Sequence, residues 1–130
     1  MIGLDTTAVI DLYRGNEKIK ELIDRLEDNF AINQIVYLEL MHGLDFKNDK
    51  HKSEEDYYDE LIKSLIFYGL NIVSCKKSSQ IEWELKKIGK VIEIFDCTIA
   101  AIYLTNGINK IITRNVKHFE NIKDIEVLKY

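Results

Sequence analysis

Short apolar runs that end on polar residues recur along the chain. Runs of this length, bounded by polar residues, are typical of buried β-strands. The runs predict strands at residues 1–4, 30–33, 70–74 and 111–113, with a last edge strand at 125–128. A polar residue at the end of such a strand lies where open α/β sheets place their ligands. Asp5 follows the first strand directly and is therefore a candidate ligand-binding residue.

Helical periodicity fills the intervals between these strands. Apolar residues spaced by three and four positions predict helices at 7–14, 19–26, 35–44, 53–66, 79–89 and 96–104, with a helical turn at 116–119. We expect capping boxes to begin helices at Ser53 and Ser79, and Gly15 and Gly89 to end them. Strands that alternate with helices predict a largely parallel sheet covered on both faces.

Composition narrows the class of protein. The chain has 130 residues, of which 46% are hydrophobic and 31% are charged, as expected for one soluble globular domain over residues 1–130. The net charge of -4 counts modestly against a nucleic-acid partner, unless the acidic residues are gathered to hold cations. Trp83 lies off the apolar stripe of its helix, as a surface or dimer contact would.

Cellular location is predicted from the same composition. Cys75 and Cys97 have no metal-type spacing. We expect both side chains to be buried as free thiols, in a protein that occupies a reducing compartment. Asp5 interrupts the first apolar run, so no signal peptide is expected. The apolar stretch from Leu65 to Val73 is too short to span a bilayer. A cytoplasmic protein without membrane attachment is the expectation.

Four oxygen-bearing residues stand out as candidate ligands: Asp5, Glu39, Asp96 and Asn115. Two of them follow strands, and two lie on the helices that are apolar nearly all round and should therefore be buried. Asp5 and Asp96 could instead be helix N-caps. Glu39 has no Lys or Arg three or four residues away, although it could reach water at the helix rim. One shared explanation is a carboxylate pocket for a hard divalent cation.

These residues also carry a resemblance to a known family. The pattern resembles a PIN domain, and among PIN domains it is most similar to the VapC-type toxins. The resemblance covers the whole chain in the right order. It rests on Leu4-Asp5-Thr6, Glu39-Leu40-Met41-His42-Gly43, Phe95-Asp96-Cys97-Thr98-Ile99-Ala100-Ala101 and Thr113-Arg114-Asn115-Val116-Lys117-His118-Phe119.

The resemblance implies a three-layer α/β/α fold and a metal-dependent endoribonuclease that leaves a 5′-phosphate and a 3′-hydroxyl. Asp5, Glu39 and Asp96 would bind Mg²⁺ or Mn²⁺, with Asn115 in a fourth position where many PIN domains have Asp. The bound cations would activate a water for attack on the phosphodiester.

The resemblance also implies supporting residues and partners. Thr6 and Thr113 would hydrogen-bond the cluster or a water, and the partners would be a VapB-like antitoxin and a second copy of the chain. Arg14, Arg114 and Lys117 lie near the predicted site and could contact the RNA backbone, although solvated charges are the default for each. His118 is expected to pack or cap rather than act as a base.

Three other functions remain open at this stage. A housekeeping RNA-processing PIN nuclease would share the site but have no antitoxin. A signalling α/β domain that binds Mg²⁺ would need a Lys above the acidic cluster after a late strand, where this chain has Thr113-Arg114-Asn115. A catalytically inactive RNA-binding relative would not need all of the carboxylates that are present here.

Overall fold

The computed structural model describes residues 1–130. The helices are α1 (Thr6–Tyr13), α2 (Glu17–Leu26), α3 (Gln34–His42), α4 (Lys52–Ser64), α5 (Ile72–Lys87), α6 (Ile94–Thr105) and α7 (Val116–Phe119). The strands are β1 (Ile2–Leu4), β2 (Phe30–Asn33), β3 (Ile66–Tyr68), β4 (Lys110–Ile112) and β5 (Glu126–Leu128), and a 3-10 turn precedes α4.

The five strands form one sheet in the order β3-β2-β1-β4-β5, and every pair is parallel. Helices flank the sheet, which confirms the α/β/α architecture predicted from the alternation of strands and helices. The register pairs Gly3 with Ala31 on one side and with Ile111 on the other. β1 is therefore the central strand, and its residues are buried by neighbours on both edges.

The strand order reverses direction beside β1. The chain runs from β1 outward to β2 and β3, then crosses back to β4 and continues outward to β5. The loops that follow β1 and β4 consequently leave the sheet side by side, with no crossover helix between them. Open α/β sheets bind ligands at such a switch point, at the carboxyl ends of the strands.

Helix α6 packs at the centre of the molecule. Its residues from Asp96 to Tyr103 are all buried, as the apolar pattern predicted. The fully buried Tyr103 donates its hydroxyl to the carbonyl oxygens of Leu4 and Ala31, at 2.6 and 3.2 Å. The ring lies directly against Gly3, where a Cβ would stand 2.5 Å from the ring carbon Cε2. Gly3 is therefore required for the close approach of α6 to β1.

Helix α3 is less buried than its composition predicted. Ile35, Val36 and Leu40 are in the core, whereas Leu38 is 37% exposed. The apolar residues of α3 thus cover a face of the core and also part of the outer surface. Its N-cap is Asn33, the last residue of β2, whose side chain accepts from the backbone N–H groups of Ile35 and Val36.

The prediction between residues 65 and 79 was wrong. The third strand is β3, not residues 70–74, and α5 begins at Ile72. The capping box that starts α5 is formed by Asn71 and Ser74, and the side-chain oxygen of each accepts from the backbone N–H of the other. The apolar run is long enough to hold a strand at several positions. The hydrogen bonds between Asn71 and Ser74 start a helix in its second half.

Three smaller predictions were also corrected. No capping box forms at Ser53, because α4 continues from the preceding 3-10 turn, and Ser79 lies inside α5. Cys75 is exposed, whereas Cys97 is buried as expected. Gly15, with φ of +74°, and Gly89, with φ of +68°, follow the ends of α1 and α5 as predicted. No helix combines the length and the apolar character that a membrane crossing needs.

Replacement of Gly3 by Ala should destabilise the protein by about 1–3 kcal/mol, because the added methyl group overpacks the site against the Tyr103 ring. Urea denaturation measures the free energy of unfolding. Gly69→Ala is the matched control, since its Cβ would lie 3.6 Å from the Gln34 side chain, an ordinary contact. Equal stability of the two variants would contradict the close packing of α6 on β1.

Candidate active site

The site begins at Asp5, at the carboxyl end of β1. Asp5 is only 3% exposed, and its Oδ2 accepts hydrogen bonds from Thr7 Oγ1 at 3.0 Å and Thr113 Oγ1 at 2.7 Å. It occupies the N-cap position of α1, but its side chain makes no capping hydrogen bond. Asp5 is therefore the N-cap residue by position, but its carboxylate binds the hydroxyls of Thr7 and Thr113 and not the backbone N–H groups of α1.

The loop after β4 is fixed by the same threonines. Thr113 Oγ1 accepts from the backbone N–H of Asn115 at 2.9 Å, and Thr7 Oγ1 accepts from the backbone N–H of Arg114 at 3.1 Å. Each threonine thus donates to Asp5 and accepts from the loop. The position of Asn115 next to Asp5 follows from this arrangement, although its side chain makes no hydrogen bond to a carboxylate.

Glu39 reaches the site from the middle of α3. It is half-buried, and its Oε1 accepts from Thr6 Oγ1 at 2.7 Å. Burial raises the pKa of Glu39, and the negative charges of Asp5 and Glu93 raise it further, while the Thr6 hydrogen bond opposes them. The carboxylate is therefore held within the pocket rather than extended into water at the helix rim.

Asp96 completes the set of three carboxylates. It lies in the first turn of α6, whose N-cap position is Glu93, so Asp96 is not the cap residue. It is 9% exposed, and its Oδ2 lies 2.9 Å from Nδ1 of His118. Burial raises the pKa of Asp96 to about 6; His118 opposes this, and the charges of Asp5 and Glu39 add to it.

The three carboxylates are electrostatically coupled, but they do not form a closed chelate. No three acidic, histidine or cysteine side chains lie close enough together to hold one metal ion. Each carboxylate is instead directed to a protein donor: Asp5 to threonines, Glu39 to Thr6 and Asp96 to His118. Like charges in a buried pocket repel, and a side chain with a hydrogen-bond donor nearby turns towards it.

A groove runs from this pocket over α7. One part, of about 470 Å³, is lined by residues that include Glu93, Asp96, Lys117 and His118. The other, of about 350 Å³, is lined by residues 114–118. Lys117 and His118 line both parts, so the two parts adjoin; Asp96 lines the first part and Arg114 the second. Carboxylates lie at one end of it and basic side chains along the rest.

The three basic residues predicted to contact RNA are placed differently. Lys117 lines the groove, and Arg114 lies at its far end, where it pairs with Asp11. Arg14 follows the last turn of α1, a helix of eight residues and hence about 12 Å long, at the end opposite Asp5. The structure does not bring Arg14 to the groove.

Sequence reasoning missed Asp11 and Tyr130 and undervalued His118. Asp11 is 3% exposed on α1 and binds both Arg114 and the hydroxyl of Tyr130. Burial and the charge of Asp11 raise the pKa of Tyr130, so its hydroxyl stays protonated as a donor. An acid among the apolar residues of α1 was the available signal, but Arg14, three residues later, offered a local partner.

Comparisons with known proteins identify the family. The model of the PIN domain matches residues 2–125, and the chain belongs to the PIN domain family. PIN domains are nucleases, a class of hydrolases. A search of curated proteins gives no significant match.

Several solved structures contain similar chains. A chain of VapBC-1 from nontypeable Haemophilus influenzae is 28% identical, with a TM-score of 0.80 over 99% of this chain and 98% of that one. A chain of VapBC2 from Rickettsia felis, bound to promoter DNA, is 21% identical, with a TM-score of 0.84 over 100% and 99%. A chain of FitAcB from Neisseria gonorrhoeae is 24% identical, with a TM-score of 0.83 over 98% and 96%. The last two establish the shared fold.

The raised pKa of Asp96 predicts a pH-dependent cost of folding in the presence of chelator. A folded-state pKa of about 6, against 3.8 for an ordinary Asp, means that the folded state binds the proton more tightly than the unfolded state. The stability of the native protein should therefore fall as pH rises from about 4 to about 6. Asp96→Asn should remove this part of the fall and be more stable by about 1–2 kcal/mol at pH 7, a value reduced for residual exposure.

Chemical denaturation between pH 4 and 7 measures this difference. Asp24→Asn, which alters an exposed carboxylate on α2, is the matched control and should follow the native profile. Parallel pH profiles for Asp96→Asn and the native protein would contradict this prediction, because they would show that burial of the Asp96 carboxylate does not lower the free energy of unfolding.

Proposed function

We propose that the chain is a divalent-metal-dependent endoribonuclease and the toxin of a toxin–antitoxin pair. The observation that carries the proposal is the arrangement of Asp5, Glu39 and Asp96 at the switch point of a PIN-family sheet. Beyond the effect of burial, the charge of Asp5 raises the pKa of both Glu39 and Asp96, and the charge of Glu39 raises that of Asp96 further. Like charges repel each other, so a cluster of three carboxylates is best explained by a cation that all three bind.

The donor set fits Mg²⁺ or Mn²⁺. Both ions prefer oxygen ligands. The pocket offers carboxylates from Asp5, Glu39 and Asp96, and Asn115 follows in the loop that Thr113 ties to Asp5. When bound, the ions supply a water of lowered pKa and stabilise negative charge on the phosphodiester. Asn115 in the fourth position brings one negative charge fewer than an Asp would, which favours a single strongly held ion over two.

The residues around the carboxylates hold and orient them. Thr113 and Thr7 fix the Asp5 carboxylate, and Thr6 fixes that of Glu39, at distances from 2.7 to 3.0 Å. His118 occupies one oxygen of Asp96 and must release it, or share it, when a cation binds. The scissile bond would lie near Asp96. Lys117 and Arg114 line the groove and would contact phosphates of the RNA on one side of that bond, away from Asp96.

Cleavage of a mixed set of structured RNAs tests the activity. Purified protein should cut in Mg²⁺ or Mn²⁺, lose activity in chelator and leave 5′-phosphate ends. Asp96→Asn should lower kcat/KM by about 10²-fold or more, as expected for loss of a group that supports charge in the transition state. Asp96→Asn, purified in the same way, is also the control for contaminating nucleases, and Asp24→Asn, which alters an exposed carboxylate, should cut normally. Cleavage that persists in Asp96→Asn would contradict the assignment of the site.

An antitoxin partner is proposed on the strength of the VapBC neighbours. The acidic pocket would accept a basic side chain from that partner, because a buried cluster of carboxylates is complementary to a cationic group. An Arg is the best candidate, since its guanidinium can donate to two carboxylates at once. Such a side chain would occupy the place of the metal and stop cleavage.

A homodimer is proposed through the apolar strip Ile66–Val73. Five of its side chains are exposed apolar groups: Ile66, Phe67, Leu70, Ile72 and Val73. The strip includes β3, an edge strand that pairs on one side only. Contiguous exposed apolar surface beside an unpaired edge is typical of an interface. Trp83, the contact considered from sequence, is 60% exposed but lies under the Lys86 ammonium, 4.7 Å from the ring centre.

Light scattering coupled to size-exclusion chromatography tests the dimer. The native protein should have twice the chain mass of 15.2 kDa. Ile72→Glu, at a position 76% exposed, should give a monomer that remains folded, because it places a charge in the proposed interface. Trp83→Glu is the matched control and should remain dimeric. The reverse result would move the interface from the strip to the Trp83 face of α5.

A further inference from the structure

A second polar cluster lies beside the carboxylate pocket and takes no part in it. Asp11, which is 3% exposed, accepts from Arg114 Nη1 at 3.0 and 3.3 Å and from the hydroxyl of Tyr130 at 2.6 Å. The three residues come from α1, from the loop after β4 and from the residues after β5. A buried carboxylate requires such partners, but the partners here connect it to the groove.

We propose that Asp11 and Tyr130 are positioning residues that hold the Arg114 guanidinium at the end of the groove, ready to bind a phosphate of the nucleic-acid substrate. The inference rests on the proposed function, because it names how the substrate of that same site is held.

The geometry leaves Arg114 free to bind. Only Nη1 contacts Asp11, so the donors on Nη2 and Nε make no hydrogen bond within the protein. The side chain is 54% exposed, whereas that of its partner Asp11 is 5% exposed. A guanidinium has five N–H donors in a planar fork and can donate to a carboxylate along one edge while it binds a phosphate along another.

Both ends of Arg114 are fixed before a substrate arrives. Its backbone N–H donates to Thr7 Oγ1, which also donates to Asp5, and its guanidinium is fixed by Asp11. Arg114 lines one part of the groove and Asp96 the adjoining part, and Lys117 and His118 line both. A side chain held in this way loses less freedom on binding than a mobile one, so it binds a phosphate more tightly.

Tyr130 acts on Arg114 through Asp11. Its hydroxyl donates to Oδ2, the oxygen that lies at the longer distance of 3.3 Å from Nη1. This bond fixes the plane of the carboxylate, and hence the direction in which Arg114 leaves it. Loss of the hydroxyl alone should therefore weaken phosphate binding without removing any charge from the groove.

The test is binding of a fluorescein-labelled single-stranded RNA of ten nucleotides, by anisotropy, in Mg²⁺ and from 50 to 250 mM KCl. The parent protein carries Asp96→Asn so that no RNA is cut. Arg114→Ala should weaken binding about tenfold and reduce the slope of log K against log salt by about 0.7, the value for one phosphate contact on a single strand. Arg114→Lys should keep the slope but lose part of the affinity.

Tyr130→Phe should weaken binding about threefold with the slope unchanged, and should have no further effect when Arg114 is already Ala. Tyr37→Phe is the matched control, because its hydroxyl also donates to an aspartate, Asp59, at 2.9 Å, and it should bind as the parent does. Thermal unfolding confirms that each variant is folded, and Arg114→Gln, which also removes the positive charge, replaces Arg114→Ala if the latter is not.

Additive effects of Tyr130→Phe and Arg114→Ala, or an unchanged slope in Arg114→Ala, would overturn the inference and leave the cluster a structural one. Absence of RNA binding by the parent at 50 mM KCl would overturn it as well. Binding with these dependences by a protein whose native form cuts no RNA would contradict the proposed nuclease and support the positioning role.

Discussion

The hydrogen bond from Thr113 to Asp5 is the constraint on which the rest of the site depends. Asp5 is nearly inaccessible to water at the end of the central strand, and an unpaired charge there would be very costly. Thr113 and Thr7 satisfy it, and the same hydroxyls accept the backbone N–H groups of Asn115 and Arg114. One buried carboxylate therefore fixes the start of two loops and with them the groove.

The proposed function of the three carboxylates conflicts with the stability of the fold. Glu39 and Asp96 have raised pKa values because burial and neighbouring charges disfavour their ionised forms. Close-packed acids of this kind lower the stability of the metal-free protein near neutral pH. His118 and Thr6 reduce that cost, since each contacts one of the two carboxylates. A cation, or a basic side chain from a partner, would relieve it more completely than either.

The errors in the strand and helix boundaries between residues 65 and 79 have one physical origin. The apolar stretch from Leu65 to Val73 is longer than a strand, and periodicity alone cannot say where within it the strand lies. The structure places the strand at its start, where Ile66, Phe67 and Tyr68 pair with β2. The reciprocal hydrogen bonds of Asn71 and Ser74 then begin α5. Cys75 was expected in the core as a small hydrophobic free thiol, but it lies on α5 and is exposed.

The sequence by itself determined the alternation of strands and helices, because periodicity is a local property. It also singled out three acidic residues as candidates, from their positions at a strand end or in apolar helices. The family was indicated by the resemblance of four ordered motifs, and the match over residues 2–125 confirms it. The tertiary structure decided which of these groups contact one another. Arg114 and Tyr130 lie 103 and 119 residues from Asp11, and no local pattern connects them. Their contact exists because β4 and β5 are parallel neighbours, so that the segments after both strands leave the same edge of the sheet and meet Asp11 of α1 there.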